Sequence, residues 1–339
     1  MPLIRENLRI LKVIRWKKIA NVFRLWVSFH LSRRRNNHHV KAMPMSLSLE
    51  PTTACNLGCP ECPSGLKMFS RPTGNLRSEL NRKIIDELSP YLIYLNFYFQ
   101  GEPFIHPTFL ELVKYAKSKK IFTATSSNGH FFSEEKAKQT VESGLDRLII
   151  SIDGSTQESY EKYRIHGDLE KVIEGAKRIV AWKKKLKSKT PHLIFQFLVV
   201  KHNEHQIPEI EKMAKELGVN EVRYKSAQVY NYENGNPLIP DNEKYARYKK
   251  LPGGKYVLKN KMDNKCWRMW TSSVITWDGK VVPCCFDKDA VHRLGDLSQQ
   301  SFKEIWNSGE YVSFRKAVST SRKDIDICSN CSEGTKVWL

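Results

Sequence analysis

The sequence predicts an α/β fold built from about six strand–helix units. From Ser46 onward, short strand-like runs (46–49, 92–99, 121–126, 147–152, 193–200, 221–225) alternate with amphipathic helical patterns (79–88, 107–119, 133–143, 169–187, 205–217). Such alternation implies parallel strands joined by crossover helices. A closed eight-unit barrel spends roughly 30 residues per unit, so residues 46–225 hold about six units, a partial (β/α)6 barrel of TIM type. Sites in such barrels sit at the C-terminal ends of the strands, and a three-cysteine loop follows the first strand here.

At 339 residues the chain can bury one large core or two, and its 40% hydrophobic and 27% charged residues suit a soluble globular protein. No apolar run approaches the ~20 residues of a membrane span, and no secretion signal opens the chain. Closely spaced cysteines without a signal peptide favour metal binding in a reducing compartment, so a cytoplasmic protein is expected.

The net charge of +20 is uneven: residues 1–41 hold 11 Lys and Arg against Glu6 alone. Residues 3–29 read as one helix, with Ile4, Leu8, Leu11, Ile14, Val22, Leu25, Trp26 and Phe29 on one side. Arg5, Arg9, Lys12, Lys17 and Arg24 stand opposite, and Arg15 and Lys18 intrude on the apolar side. Such a basic amphipathic arm either lies on an anionic membrane surface or packs on the body of the protein. The run Arg33-Arg34-Arg35 alone offers only non-specific phosphate attraction, a weak argument for nucleic acid. Residues 36–45 and 226–262 read as linkers.

The loop Cys55-Asn56-Leu57-Gly58-Cys59-Pro60-Glu61-Cys62 holds three thiols at spacings that let one loop wrap one metal site. Three ligands leave one iron of a 4Fe-4S cluster open. Zinc would want a fourth ligand, and no Cys or His follows closely. The motif, in the setting Glu50-Pro51-Thr52-Thr53-Ala54-Cys55, resembles that of the radical S-adenosylmethionine (SAM) enzymes. The resemblance implies a partial six-unit barrel, SAM chelated to the open iron, an external one-electron donor, and cleavage of SAM to a 5′-deoxyadenosyl radical that abstracts hydrogen from a substrate. It also assigns SAM contacts. Gly101 and Glu102, in Gln100-Gly101-Glu102-Pro103, would receive the amino group; Asn128 would lie near the ribose, and Ser151 and Arg164 would help bind the carboxylate and ribose, the guanidinium suiting the carboxylate. An Asn-Gly turn is the competing reading of Asn128-Gly129, and a helix cap that of Asp153.

The C-terminal region holds Cys266, Cys284, Cys285, Cys328 and Cys331. Residues 272–283 read as a hairpin turning at Asp278-Gly279, which brings Cys266 and Cys284 together at its base, with Cys328 and Cys331 as a two-residue clip. This set resembles the SPASM and twitch domains of some radical SAM enzymes, which implies a small α+β iron-sulfur domain over 263–339 with one auxiliary 4Fe-4S cluster on Cys266, Cys284, Cys328 and Cys331. A four-thiolate zinc site is the alternative. Adjacent strand residues point to opposite faces, so Cys285 is the expected spare, either a buried apolar side chain or a proton or hydrogen donor in the substrate pocket. The helices expected at 301–307 and 309–319 would cover the cluster.

The expected function is therefore SAM-dependent hydrogen abstraction, for net oxidation of a peptide or small molecule by dehydrogenation or cross-linking. Modification of a lipid-linked or glycan substrate at a membrane face is the alternative. A non-catalytic iron-sulfur electron carrier or nucleic-acid-binding protein is the rival of another class.

Overall fold

Six strands of the expected alternation run parallel: β1 (Ser46–Leu49), β2 (Tyr94–Asn96), β3 (Phe122–Ser127), β4 (Arg147–Ser151), β5 (His192–Val199) and β6 (Glu221–Ser226). They come from a computed structural model that describes residues 2–35 and 37–334, with side chains described from residue 8 onward save those of residues 33 and 35. Ile4, Arg5, Glu6, Arg33 and Arg35, used in the sequence reading of the arm, therefore lie outside the described side chains.

The helices fall where the 3.6-residue period places them. α1 (Pro2–Val13) and α2 (Trp16–Arg35) precede the sheet. Between its strands lie α3 (Ser78–Leu88), α4 (Phe109–Ser118), α5 (Glu134–Glu142), α6 (Gln157–Tyr163), α7 (Leu169–Lys185) and α8 (Ile207–Leu217). α6 was not anticipated: it is short, and Thr156 caps it by accepting from the Ser159 N–H.

Alternation divides the strands into two faces. Leu47, Leu49, Leu95, Phe97, Leu148, Ile150, Leu193, Phe195, Phe197 and Val199 are buried in the main core. The register places Ser46, Ser48, Asn96, Ser126, Ser151, Gln196, Arg223 and Lys225 on the opposite, inner face. That inner face is largely polar. At the N-terminal end of the strands Val13 of α1 packs on the inner-face residues Phe122 and Ala124, so the lumen is left for a ligand toward the C-terminal strand ends.

The C-terminal elements extend this sheet. Residues 226–262, expected as an inter-domain linker, include a two-stranded sheet, β7 (Tyr248–Lys250) with β8 (Tyr256–Leu258). It carries its own small core of Val200, Ala227, Val229, Ile239 and Tyr248, with Tyr232 stacked on Tyr248 at 4.4 Å. β9 (Ser272–Ile275) pairs parallel with β1, and β10 (Lys280–Val282) returns antiparallel as the expected hairpin, flanked by β11 (Gly295–Asp296). The sheet order is β11-β10-β9-β1-β2-β3-β4-β5-β6. α9 (Phe302–Trp306) starts with a complete Ser301/Glu304 capping box and buries Phe302, Ile305 and Trp306. α10 (Gly309–Ser321) buries Arg315 between Trp306 and Tyr311, each 4.3 Å from its guanidinium.

The single helix expected over 3–29 is two helices, broken at Ile14 and Arg15. Of its expected apolar side, Leu25 and Phe29 are buried, but Leu8, Leu11 and Trp26 are exposed. Lys18, read as an intruder, is buried and donates to the Lys120 carbonyl at 2.8 Å, and burial lowers its pKa to about 8. Phe29 meets Trp267 and Trp270 edge-on, both at 5.2 Å. Truncating a buried aromatic costs about 3–5 kcal/mol. Phe29→Ala should therefore lower the unfolding free energy of the first urea transition by that amount; a change under ~1 kcal/mol would show that the arm is not part of the body.

Candidate functional site

The three-thiol loop leaves the C-terminal end of β1, and its course is fixed by a buried ion pair. Glu50 accepts two hydrogen bonds from Arg71, Nη1 to Oε2 at 2.6 Å and Nη2 to Oε1 at 2.7 Å, and a third from the Trp277 N–H at 3.2 Å. Arg71 Nη2 also donates to the Lys288 carbonyl at 3.3 Å. The base of the loop is thus tied to the C-terminal hairpin. Farther along, the Gly58 N–H donates to the Ile165 carbonyl at 2.9 Å, and Cys62 opens a short helix, Pro63–Leu66. Cys59 is buried, and Cys55 and Cys62 are partly exposed.

The resemblance-derived SAM residues surround this loop. Gly101 has φ +73°, and a Cβ there would stand 2.4 Å from the Thr52 carbonyl oxygen, so only glycine lets the two segments approach. Its N–H donates to Ser64 Oγ at 2.9 Å. The buried Glu102 carboxylate accepts from the Phe104 N–H (3.1 Å) and Ser127 Oγ (2.9 Å) through Oε1, and from the Asn128 N–H (2.6 Å) through Oε2. One acceptor position on Oε2 stays open to a further donor. Burial raises this carboxyl to about 7 despite the three donors.

Asn128 both makes the turn and faces the thiols. Its Oδ1 accepts from the His130 N–H, and its Nδ2 donates to Asn56 Oδ1 at 2.7 Å and points at Cys55 Sγ, 3.9 Å away. Ser151 is buried at the end of β4, beside Gln196 in register. Asp153 caps no helix: it holds Arg164 Nε at 2.5 Å and accepts from the Leu198 N–H at 2.7 Å. Arg164 turns Nη1 toward Cys59 Sγ at 3.7 Å. The guanidinium expected near a SAM carboxylate therefore also faces a sulfur.

Cys266, Cys284, Cys285, Cys328 and Cys331 line one cavity, together with Arg268, Phe314, Val318 and Arg322. The strand argument that set Cys285 apart does not hold, because β10 ends at Val282 and the two adjacent cysteines lie in the following turn. A turn is not bound by strand alternation, so both can border the same cavity. Cys285 is the most exposed of the five, with Arg268 Nη1 4.0 Å from its Sγ. Arg322 Nη2 lies 3.3 Å from Cys331 Sγ. α10 covers the cavity through Phe314 and Val318, whereas α9, expected to share that task, packs into the main core.

Burial pushes the thiols up: Cys55 and Cys328 to about 11, with Cys59, Cys266, Cys284 and Cys331 shifted the same way. Guanidinium groups oppose the shift at Cys59, Cys266, Cys328 and Cys331. Buried thiols flanked by cations are poised to exchange protons for metal. Among the described residues no three His, Cys, Asp or Glu side chains form a ready single-ion site. Thiol-only donor sets with cationic groups turned to sulfur fit iron-sulfur clusters, whose charge such contacts balance.

Four residues here escaped the sequence reading. Arg71 and Arg322 sit in stretches with no periodic signal, and only the fold brings them to Glu50 and Cys331. Tyr98 and Lys225 are both in electrostatic reach of Cys285, and Lys225 also of Arg164. Desolvation lowers the Lys225 ammonium pKa although the side chain is exposed.

Residues 49–214 match the model of the radical SAM superfamily, and residues 266–332 match SPASM, described as an iron-sulfur cluster-binding domain. The chain is 26% identical to the tungsten-containing aldehyde ferredoxin oxidoreductase cofactor-modifying protein of Pyrococcus furiosus, over 84% of this chain and 86% of the relative. It is 24% identical to the PqqA peptide cyclase of Gluconobacter oxydans, over 87% of this chain and 84% of the relative. In fold it resembles Streptococcus suis SuiB bound to precursor peptide SuiA, with TM-score 0.62 at 13% identity, over 89% of this chain and 72% of that one. The chain belongs to the radical SAM superfamily: it is an enzyme that uses SAM, a SAM-binding 4Fe-4S cluster and auxiliary iron-sulfur held by a C-terminal SPASM domain.

Proposed function

We propose that this enzyme oxidises a peptide, by dehydrogenation or cross-linking, with an external one-electron donor supplying the first electron. The observation that carries the reading is that the two thiol sets meet at the C-terminal end of the polar inner face: Lys288, three residues after Cys285, donates to the carbonyl of Glu61, which lies between Cys59 and Cys62. A substrate on that face would be in reach of both centres. The relative named for the PqqA peptide favours a peptide over a small molecule. When bound, SAM and the first cluster supply a hydrogen-abstracting 5′-deoxyadenosyl radical, and the second centre an outlet for an electron.

The chain's own residues have the remaining tasks. Glu102, through its open Oε2 position, would accept from the SAM amino group; Gly101 would let the backbone approach it; Asn128 and Ser151 would border the ribose; and Arg164, held by Asp153, would face the carboxylate. Cys55, Cys59 and Cys62 would hold the first cluster, and Cys266, Cys284, Cys328 and Cys331 one auxiliary cluster. Net oxidation also releases a proton. Cys285, exposed and with Arg268 beside it, would take that proton as its thiolate and become the thiol.

A reduced, anaerobically reconstituted enzyme given SAM and a small peptide encoded beside its gene should form 5′-deoxyadenosine and a product lighter by two hydrogen atoms per 5′-deoxyadenosine. A product that gains mass would overturn the oxidative reading, and absence of 5′-deoxyadenosine would favour an electron carrier. A second expectation concerns pH. The Glu102 carboxyl, at about 7 without SAM, must lose its proton before Oε2 can accept from an amino N–H. SAM affinity should therefore rise with pH, by up to about tenfold per unit below 7, and level off above it. Equilibrium binding that is flat between pH 6 and 7.5, or unchanged in Glu102→Gln, would contradict this role.

A further inference from the structure

We propose that the outward face of α1 and α2 is a docking surface for an anionic phospholipid bilayer, and that it holds the enzyme with its SAM-site end turned away from the lipid. The arm has two apolar faces. At 100° per residue, Leu25 and Phe29 fall on the side of α2 that packs into the core. Trp16, Ile19, Phe23 and Trp26 form a ridge on the other side, where Trp16 is 81% exposed and Phe23 64%. Phe23 stacks on Trp26 at 6.4 Å, and helical spacing sets Ile19 and Trp16 along the same strip. Seven of the fourteen exposed large apolar side chains among the described residues lie between Leu8 and Leu31. Singly such residues need no partner, but a contiguous strip marks an interaction site.

Charge identifies what covers it. From Asn7 to Leu49 the sequence has ten Lys and Arg and no Asp or Glu. Beside the strip, Leu8 and Leu11 border a groove whose other wall carries Lys183, Lys184, Lys187 and Lys189, with no acidic side chain among its lining residues. Apolar and aromatic side chains flanked by cations fit the boundary between lipid headgroups and acyl chains, where tryptophan concentrates. A second copy of the chain would press two positive faces together, and a nucleic-acid duplex, with its bases stacked inside, would leave the apolar strip uncovered.

The attachment of the arm sets the orientation. Arg9 donates to the Lys189 carbonyl, just before β5; Lys18 to the Lys120 carbonyl, just before β3; and Asn21 to the Met43 carbonyl, just before β1. All three are N-terminal ends of strands. The three-thiol loop and Glu102 leave the C-terminal ends, so the barrel separates the strip from the SAM site. The bilayer would then hold the enzyme, while its substrate enters from the aqueous side.

The full-length reconstituted enzyme, sedimented with phosphatidylcholine vesicles containing phosphatidylglycerol, should bind them, release at high salt, and bind phosphatidylcholine alone at least about tenfold more weakly. Trp16→Glu with Phe23→Glu should lose about tenfold or more of the binding while keeping the wild-type urea transition and rate of 5′-deoxyadenosine formation from SAM. Equal binding by this variant, or to both vesicle types, would overturn the proposal. So would a dimer in solution that the variant converts to monomer, because a second copy would then own the strip. For the orientation, 5′-deoxyadenosine formation should run equally fast on and off vesicles, and suppression on vesicles would place the site against the lipid.

Discussion

The geometry of the reactive end depends on the ion pair between Glu50 and Arg71, both almost fully buried. Two charges taken out of water are tolerated where they are paired and well bonded, and here the carboxylate has three donors and the guanidinium three contacts to oxygen through Nη1 and Nη2, with Nε left without a partner. Burial still raises the Glu50 carboxyl, which shows how much of the desolvation cost the pair must offset. Its value is positional. One partner precedes the three-thiol loop by five residues, and the contacts end on Trp277 and Lys288 of the C-terminal region. One buried pair thus fixes the first thiol loop relative to the domain that carries the second thiol set.

The sheet reinforces the same coupling. β9 pairs with β1 in parallel, so the SPASM hairpin grows from the edge of the barrel sheet and is not a module hung on a tether. Lys288 Nζ donates to the Glu61 carbonyl at 3.5 Å and to Tyr230 Oη at 3.1 Å, which links the thiol loop, the 226–262 segment and the C-terminal turn. A reaction that needs two metal centres to act on one substrate needs such a fixed relation, because misplacing a reacting group by about 1 Å can cost on the order of a hundredfold in rate.

Much of this was legible in the sequence, and the misses share a cause. The six parallel strands and their helices follow from alternating apolar periods, a local signal that survives because each element buries one face. The thiol spacings are equally local. Arg71 was not legible, since no period or motif marks it and its partner is 21 residues away. The hairpin within 226–262 stands on Tyr232 stacking over Tyr248, a tertiary contact in a stretch of Asn, Gly and Lys that reads as loop. In the arm, helicity and charge were visible, but a helix with two apolar faces gives a blurred single face. Only the fold shows that Phe29 turns inward and Phe23 outward. Cys284 and Cys285 were separated by a strand rule that the turn after Val282 does not obey.

The central claim is a cluster at Cys55, Cys59 and Cys62 with one iron left for SAM. It is tested most directly by electron paramagnetic resonance of the reduced, reconstituted Cys328→Ala and Cys331→Ala double variant, in which the first cluster dominates the signal. The account predicts four irons at that centre and a spectrum that shifts when SAM is added. A spectrum unmoved by SAM, or zinc in place of iron at these three thiols, would contradict it.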